Sequence, residues 1–293
     1  MITRVTTMTM MQSSARHLQH AASQLARAQE RASGFTAITR PSDDPSGTAS
    51  AIQVRAAQQQ YAQYARNIQD GNGWLATIDA ALSSTTTLIG RARDLTLQGA
   101  NDGAMSPTQK EAIATELESI RELLLREANT SYLGRTVFAG TSDAGAAFTS
   151  EYAFHGGHGT VERRIGEGAT VRVDADGGEV FGVGDVSVFA TIDRIAADLR
   201  AGMNVASRLD ELDAHRESVL SAHSAVGARH GTVLSAAETN LSDQVGLETT
   251  RSRLEDLDLA ETAIELQMHA LAHQAALSAT ARALRPTLMD YLT

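Results

Sequence analysis

Two pairs of histidines have spacings that could hold a metal ion. His269 and His273 lie one helical turn apart, which is the spacing of the zinc-binding pair in HExxH metalloproteases. The segment reads His-Ala-Leu-Ala-His, so the glutamate of that motif is missing and no third ligand is evident. His155 and His158 flank two glycines and give an equally weak signal. Neither pair predicts a metal centre, and we predict no cofactor.

An acidic segment in the middle of the chain is similar to the start of a calcium-binding loop. Asp174 and Asp176 precede two glycines, as EF-hand ligands precede theirs. The fifth, sixth and twelfth positions, however, are Gly178, Glu179 and Asp185, whereas an EF-hand needs an oxygen ligand, glycine and glutamate there. The segment Asp176-Gly-Gly178 therefore predicts a hairpin turn.

Other catalytic patterns are also missing. The 293-residue chain has no cysteine, which excludes disulfides, thiolate nucleophiles and iron–sulfur clusters. It contains neither a P-loop, nor a complete dinucleotide fingerprint, nor a nucleophile elbow. One cluster of carboxylates near the C-terminal end predicts a solvated helix face: Glu255, Asp256, Asp258 and Glu261. We therefore predict that the protein is not an enzyme.

The charge balance argues against nucleic acids and membranes as partners. The chain carries 25 basic and 35 acidic residues, a formal net charge of -10, and Lys110 is its one lysine. Phosphate backbones are bound by clustered Lys and Arg, and the arginines here are spread among acids. No apolar run approaches the ~18–20 residues that cross a bilayer.

Apolar residues at helical spacing predict long helices in the N-terminal half. The longer of two such rows of apolar residues, called seams below, follows the turn-forming segment 41–47. It keeps 3–4 spacing for six heptads, from residue 54 to residue 96. Gly71 and Gly73 predict a weak point in that helix. The first seam precedes residue 41 and consists of Met11, Ala15, Leu18, Ala22 and Leu25.

The signals continue beyond the break at residues 101–103. Ser106, Pro107 and Gln109 predict a capped third helix. Helix returns at about residue 188, and a further long seam runs from 205 to 237. The leucines that continue it are Leu234, Leu241, Leu247 and Leu254. A last helical arm covers residues 257–288, where Pro286 breaks or kinks it.

The middle of the chain predicts β structure. Twelve of the 23 glycines and four of the six phenylalanines lie in residues 134–184. Residues 170–175 alternate strictly, and Val161 and Ile165 indicate another strand. The predicted fold is mainly α with a small β insert: a long antiparallel, coiled-coil-like helical bundle with an inserted β domain.

Two histidines on the long C-terminal seam predict a pH effect. His223 and His230 lie seven residues apart among its apolar members. We expect them at a helix interface, where a positive charge would weaken packing at acid pH.

Several segments together resemble the bacterial flagellins. The stretch RSRLEDLDLAE (251–261) is similar to the helix-to-helix segment near the C-terminus of that family, and RARDLTLQGAN (91–101) to its N-terminal core helix. The PSDDP loop at 41–45 and the tail after Pro286 also resemble flagellin segments. Within the family, NTSYLGRTVFAGT (129–141) and the segments that follow it resemble the hook–filament junction members. The resemblance implies a flagellin-like fold.

The resemblance also implies a function and partners. Junction members of the family are structural proteins that form a ring of subunits between another hook-associated junction protein and the filament. The implied partners are further copies of the chain, that adjacent junction protein, flagellin and a flagellar export chaperone, with no nucleic acid and no membrane. The implied location is the extracellular flagellum, reached by type III export without a cleaved signal peptide.

We also predict a division of the chain into three parts. Residues 1–41 and 258–293 would form terminal helices that fold into an inner core on assembly, because they carry few large apolar residues. Residues 42–131 and 187–257 would form the bundle, and 132–186 a β-rich outer domain. The expected assembly residues are Met11, Leu18, Leu25, Ile264, Met268, Leu271, Leu284 and Leu288; ordinary packing within one chain is the alternative role for each.

Two other functions stay open at this point. The chain could be a filament-forming flagellin, or, less in keeping with its motifs, a non-flagellar coiled-coil scaffold. Residues 1–29 contain no acid, and residues 1–14 lack the apolar core and cleavage site of a secretory signal. Such a segment is also typical of an organelle transit peptide, which the scaffold alternative would require.

Overall fold

The computed structural model describes residues 7–38, 40–101, 105–157 and 159–283. Within these residues the helices are α1 (Thr7–Gly34), α2 (Pro45–Ala100), α3 (Pro107–Ala128), α4 (Gly177–Phe181), α5 (Val188–Arg200), α6 (Leu209–Glu255) and α7 (Leu259–Ala283). The strands are β1 (Ser131–Tyr132), β2 (Arg135–Thr136), β3 (Glu162–Gly166) and β4 (Ala169–Arg172). The expected fold class, mainly α with a small β insert, is confirmed.

The chain forms two compact units. One contains Met1–Gln59 with Gln244–Thr293, and the other contains Gln60–Asp243. The second unit, called the central unit below, holds α3, α4, α5 and all four strands. Helices α2 and α6 contribute to both units. The three-part division expected from the sequence stays a prediction.

The core of the central unit follows the seam predicted for α2. Every seam member from Tyr64 to Thr96 is buried. Helix α6 and the turn before it bury a residue every seven positions, the repeat that keeps one side of a helix against a partner. These residues are Val205, Leu212, Val219, Val226 and Val233. Ion pairs between Arg93 and Asp213 and between Arg91 and Glu116 connect α2 to α6 and α3.

Gly71 and Gly73 do not interrupt α2, which contradicts the expected weak point. Both lie in continuous helix. A methyl group on Gly73 would come within 2.2 Å of the Tyr132 hydroxyl and 2.5 Å of its ring, and one on Gly71 would meet Val173 at 3.2 Å. The glycines therefore let the insert after α3 approach the backbone of α2, where Tyr132 also packs edge-to-face on Trp74.

We expect Gly73→Ala to destabilise the chain by about 1–3 kcal/mol, because the ring of Tyr132 must move away from α2. Gly90→Ala is the matched control: it lies in the same helix with no atom within 4 Å of the added methyl. Its expected effect is a gain of up to about 1 kcal/mol from helix propensity. Chemical denaturation of both variants measures this, and equal effects of the two substitutions would contradict the packing role of Gly73.

The insert between α3 and α5 is held together by its phenylalanines. Strands β1 and β2 form one antiparallel pair, and β3 and β4 form another. The four rings of a buried cluster lie 5.2–5.8 Å apart between contacting centroids: Phe138, Phe148, Phe181 and Phe189. The glycine- and phenylalanine-rich middle thus forms a small core, and β3 confirms the strand expected around Val161 and Ile165.

The hairpin turn predicted at Asp176 is wrong. Asp176 is the N-cap of α4, and its carboxylate accepts hydrogen bonds from the backbone N–H groups of Gly178, at 2.8 Å, and Glu179. An Asp-Gly-Gly segment suits a helix start as well as a turn, since both use an aspartate that accepts backbone hydrogen bonds. The nearest antiparallel pair, β3 and β4, is joined earlier, at residues 167–168.

The predicted course of the α6 seam also needs a correction. Leu234 is 51% exposed and Leu241 is 64% exposed. The buried position in that part of the helix is Asn240, whose side-chain amide donates to the Tyr61 carbonyl at 3.1 Å. The partner helix α2 presents a backbone acceptor there, so a polar side chain occupies the seam.

A tyrosine in left-handed backbone conformation connects the insert to two helices. Tyr152 has φ of 64°, and its hydroxyl donates to the Asp193 carboxylate in α5 at 2.5 Å. Arg121 in α3 reaches the other oxygen of the same carboxylate at 2.8 Å. Burial, together with the hydrogen bond to Asp193, raises the pKa of Tyr152 to about 12.

The histidines of α6 have partners that the sequence did not reveal. His223 Nε2 lies 2.8 Å from Asp79 Oδ1, and His230 Nε2 lies 2.7 Å from Asn72 Oδ1. A charged His223 would pair with Asp79, so the structure opposes the expected weakening at this position. His215 fits that expectation better: it is half-buried against Thr191 of α5, and desolvation lowers its pKa, with Arg194 acting in the same direction and Glu211 opposing it.

The lowered pKa of His215 predicts a loss of stability in acid. The unfolded chain takes up the proton near the ordinary pKa of about 6.5, whereas the folded chain resists it. Stability should therefore fall as the pH drops below about 6.5, and His215→Gln should reduce that fall. The measurement is the unfolding midpoint between pH 8 and pH 5, with His17→Gln in exposed α1 as control. An identical pH profile for wild type and His215→Gln would contradict the assignment.

Candidate assembly surface

Helices α1 and α7 pack against each other in the unit formed by the two ends of the chain. Arg31 near the end of α1 forms an ion pair with Glu265 near the start of α7, at 2.9 Å. The two helices therefore run in opposite directions. Ala28 is 1% exposed and Thr262 is 8% exposed, so the most buried part of the seam lies at the same end of the pair as this ion pair.

The seam on α1 differs by one position from the predicted one. Leu18 and Leu25 are half-buried as expected, but Ala15 and Ala22 are exposed. The positions that alternate with the leucines are Ala21, Ala28 and Ala32, again at 3–4 spacing. Alanines surround Leu18 and Leu25 on both sides in the sequence, so the spacing alone fits either set.

A short backbone pairing closes the end of this helix pair. After α1 the chain pairs with the junction between α6 and α7, where Ala37 N donates to the Glu255 carbonyl at 2.8 Å. The Glu255 carboxylate is nearly buried and accepts from Arg55 at 2.8 Å and Arg251 at 3.4 Å. Asp258 then caps α7 by accepting from the N–H of Ala260.

The PSDDP loop (41–45) caps the start of α2 with an aspartate, as Asp258 caps the start of α7. One carboxylate oxygen of Asp44 accepts hydrogen bonds from the N–H groups of Ser46 and Gly47, at 3.1 and 2.9 Å. These bonds favour the ionised carboxylate and lower the pKa of Asp44.

The cluster of acids predicted to be a solvated helix face near the C-terminal end includes two groups with structural roles, the buried Glu255 and the capping Asp258.

Helix α7 turns its bulky apolar side chains away from α1. Ile264 is 61% exposed, Met268 is 64% exposed and Leu271 is 68% exposed. These three residues, called the α7 stripe below, follow one another at 3–4 spacing and so share one side of the helix. The side that faces α1 is partly buried and largely polar or small: Thr262, Glu265, Leu266, His269, His273, Ala276 and Thr280.

The other expected assembly residues are only partly described. Leu284 and Leu288 lie outside the described residues, and of Met11 only the backbone position in α1 is described. The structure therefore places Leu18 and Leu25 in the seam of the helix pair, and Ile264, Met268 and Leu271 on its outer side. Apolar periodicity locates both sets but cannot say which side a partner helix takes.

The described residues add no sign of a metal or membrane site. Among residues 7–283, apart from the few that are not described, no group of three or more His, Asp or Glu side chains could hold a metal ion. His269 and His273 lie half-buried on the α1-facing side of α7. None of the described helices combines the length and hydropathy that crossing a membrane requires.

The α1–α7 seam should open more readily than the core of the central unit. It buries alanine, threonine and the half-exposed Leu18, Leu25 and Leu266, whereas α2 buries bulky side chains from Tyr64 onward. We expect amide hydrogens of α1 and α7 in the isolated chain to exchange faster than those of α2 between residues 64 and 96. Hydrogen exchange with mass spectrometry measures this, and equally strong protection of all three helices would contradict it.

Comparisons with known proteins give one consistent result. Residues 5–143 match the family described as the bacterial flagellin N-terminal helical region. Flagellar hook-associated protein 3 of Salmonella typhimurium is 31% identical over 146 residues, 49% of this chain, and the match spans about half of that protein's length (46%). The protein of the same name from Escherichia coli is 25% identical over 303 residues, covering 94% of this chain and 95% of that one. Flagellins are among the other relatives.

A solved structure shares the fold. The crystal structure of Bacillus cereus FlgL superposes with a TM-score of 0.61 at 20% identity, covering 68% of this chain and 99% of that chain. The superposed part of the chain is too long to be a single pair of helices, so the similarity extends beyond one helix pair.

Proposed function

We propose that this chain is a member of the bacterial flagellin family and a structural subunit of the bacterial flagellum that joins the hook to the filament at the hook–filament junction. The observation that carries the proposal is the match along nearly the whole chain, middle insert included, to a flagellar hook-associated protein 3.

The proposed partners follow from the position of a junction. The subunit contacts further copies of itself in a ring, the adjacent hook-associated junction protein on one side and flagellin on the other. An export chaperone accompanies it before type III export, which uses no cleaved signal, and the place of action is the extracellular flagellum. This role is structural and needs no catalysis.

The α7 stripe supports self-assembly through the terminal helices. Three large apolar side chains are more than 60% exposed on one side of one helix. Burying such a side chain contributes about 1.5–3 kcal/mol, so a surface of this kind is stabilised by a neighbouring chain. We propose that the terminal parts, 1–41 and 258–293, complete their folding in the assembly and form its inner core. Leu18 and Leu25 then hold the helix pair together, and Met11, Leu284 and Leu288 extend the assembly surface.

A gene deletion tests the junction role. Cells that lack this chain should keep their hooks and release flagellin into the medium, because export continues but the filament has no attachment. Loss of the filament subunit itself, with salt-induced polymerisation of the purified chain into long filaments, would favour a flagellin instead. Normal filaments in the deletion strain would contradict both flagellar functions.

Complementation tests the assembly surface. We expect Met268→Lys to leave the unfolding free energy of the isolated chain within about 0.5 kcal/mol of wild type, since the side chain is exposed. The same variant should fail to restore filaments in the deletion strain, because the assembly would bury an unpaired charge. Met203→Lys, at a methionine 51% exposed in the central unit, is the control and should restore them. Full motility with Met268→Lys would contradict the proposed surface.

A further inference from the structure

We propose that a groove in the central unit binds a basic segment of a partner protein, one that carries an arginine or a lysine beside an apolar residue. The groove lies between α6, the turn that joins β3 to β4, and the part of α2 around Tyr61, and its volume is about 740 Å³. This volume is in the usual range for ligand sites. All the residues that line the groove belong to the central unit, and the proposed junction role does not use them.

Small side chains on α6 keep the groove open. Ala228, Gly231, Ser235 and Ala236 line it along more than two turns of the helix. A Cβ added at Gly231 would have no atom within 4 Å, so no contact within the chain requires a glycine there. Glycine is destabilising inside a helix, and at this position its effect is to leave space in the groove.

The polar groups that line the groove are rich in hydrogen-bond acceptors. Two of them are the carboxylates of Glu167 and Asp243. The hydroxyls of Thr232 and Thr239 each donate to a carbonyl one turn earlier in α6, so toward a ligand they offer lone pairs. Among the described residues that line the groove there is no lysine, arginine or histidine. Such a lining attracts a positively charged ligand that is rich in donors and disfavours an anion.

Two tyrosines add ring surfaces of the kind that bind cations. Tyr61 and Tyr64 line the groove and pack edge-to-face, with 5.7 Å between their ring centroids. Arg164 of the same chain already places its guanidinium carbon 5.7 Å from the centroid of Tyr64, which is the distance of a cation–π contact. Burial, together with the negative charges of Asp243 and Glu167, raises the pKa of Tyr61. The groove therefore has a negative potential beside an aromatic surface.

The apolar part of the lining determines the kind of occupant. A small cation paired with the carboxylates would leave Ala169, Ala228 and Ala236 in contact with water. The aliphatic stem of an arginine or a lysine, followed by an apolar side chain, would cover these methyl groups while the charged end reaches the acceptors. Charge complementarity and apolar contact are thus satisfied together by a peptide segment.

Fluorescence anisotropy with the purified full-length chain tests the site. The probe is a fluorescein-labelled peptide of the sequence Gly-Arg-Leu-Arg-Gly, and the reference probe has glutamate in place of both arginines. We expect the basic peptide to bind, with an affinity that falls as the salt concentration rises, and the acidic peptide not to bind.

Two glycines of α6 provide a matched pair of variants. Gly231→Leu should weaken binding of the basic peptide by about tenfold, because the new side chain occupies the groove. Gly227→Leu is the control: it lies one turn earlier, also has no atom within 4 Å of an added Cβ, and does not line the groove. Both variants should keep or raise the unfolding midpoint, since leucine favours a helix over glycine. Asp243→Asn should weaken binding roughly two- to fivefold, the effect of one surface ion pair.

Three outcomes would overturn the proposal. The first is equal binding by wild type and Gly231→Leu, or no binding of the basic peptide at all. The second is tighter binding of free spermine than of the peptide, which would assign the groove to a small polyamine. The third is a loss of self-association in Gly231→Leu, seen by sedimentation, with peptide binding unchanged, which would assign the groove to a second copy of the chain. All three are measured on the purified chain, so failure here leaves the proposed junction role intact.

Discussion

The pairing of α1 with α7 places small and polar side chains between the helices and leaves the largest apolar side chains of α7 outside. This arrangement follows from the residues themselves, because Thr262, His269 and His273 share the side of α7 on which Glu265 meets Arg31. An isolated helix pair of this composition gains little from burial. The same arrangement leaves a surface that a second chain can bury, so weak packing within the chain and the proposed association between chains have one cause.

The central unit, in contrast, buries large apolar side chains between its own helices. Its long α2 seam is buried from Tyr64 to Thr96, α6 contributes valines at every seventh residue, and the insert adds a cluster of four phenylalanine rings. Hydrogen bonds such as the one from Tyr152 to Asp193 hold the insert against α3 and α5. A chain with only 4% aromatic residues thus concentrates most of its phenylalanines in the core of the central unit.

Much of this architecture is predictable from periodicity and capping. The six long helices, the reciprocal cap formed by Ser106 and Gln109, and strand β3 all follow from local signals. The errors arise where a tertiary partner decides. Asp176 begins a helix because Phe181 can join the phenylalanine cluster, and Asn240 replaces Leu241 in the seam because a carbonyl of α2 faces it. Gly73 is tolerated in α2 because Tyr132 occupies the space of its missing side chain. For the candidate surface, the sequence indicates which residues are apolar, but the side of α7 that α1 covers depends on the fold.

The proposed function depends on burial of the α7 stripe when copies assemble. Oxidation of Met268 by dilute peroxide measures this most directly, because a methionine thioether reacts according to its accessibility. Mass spectrometry would compare the sulfoxide fraction at Met268 in the isolated chain and in intact flagella, with Met203 as an internal reference. We expect ready oxidation of Met268 in the isolated chain and strong protection in flagella. Equal oxidation of Met268 in both states would contradict it.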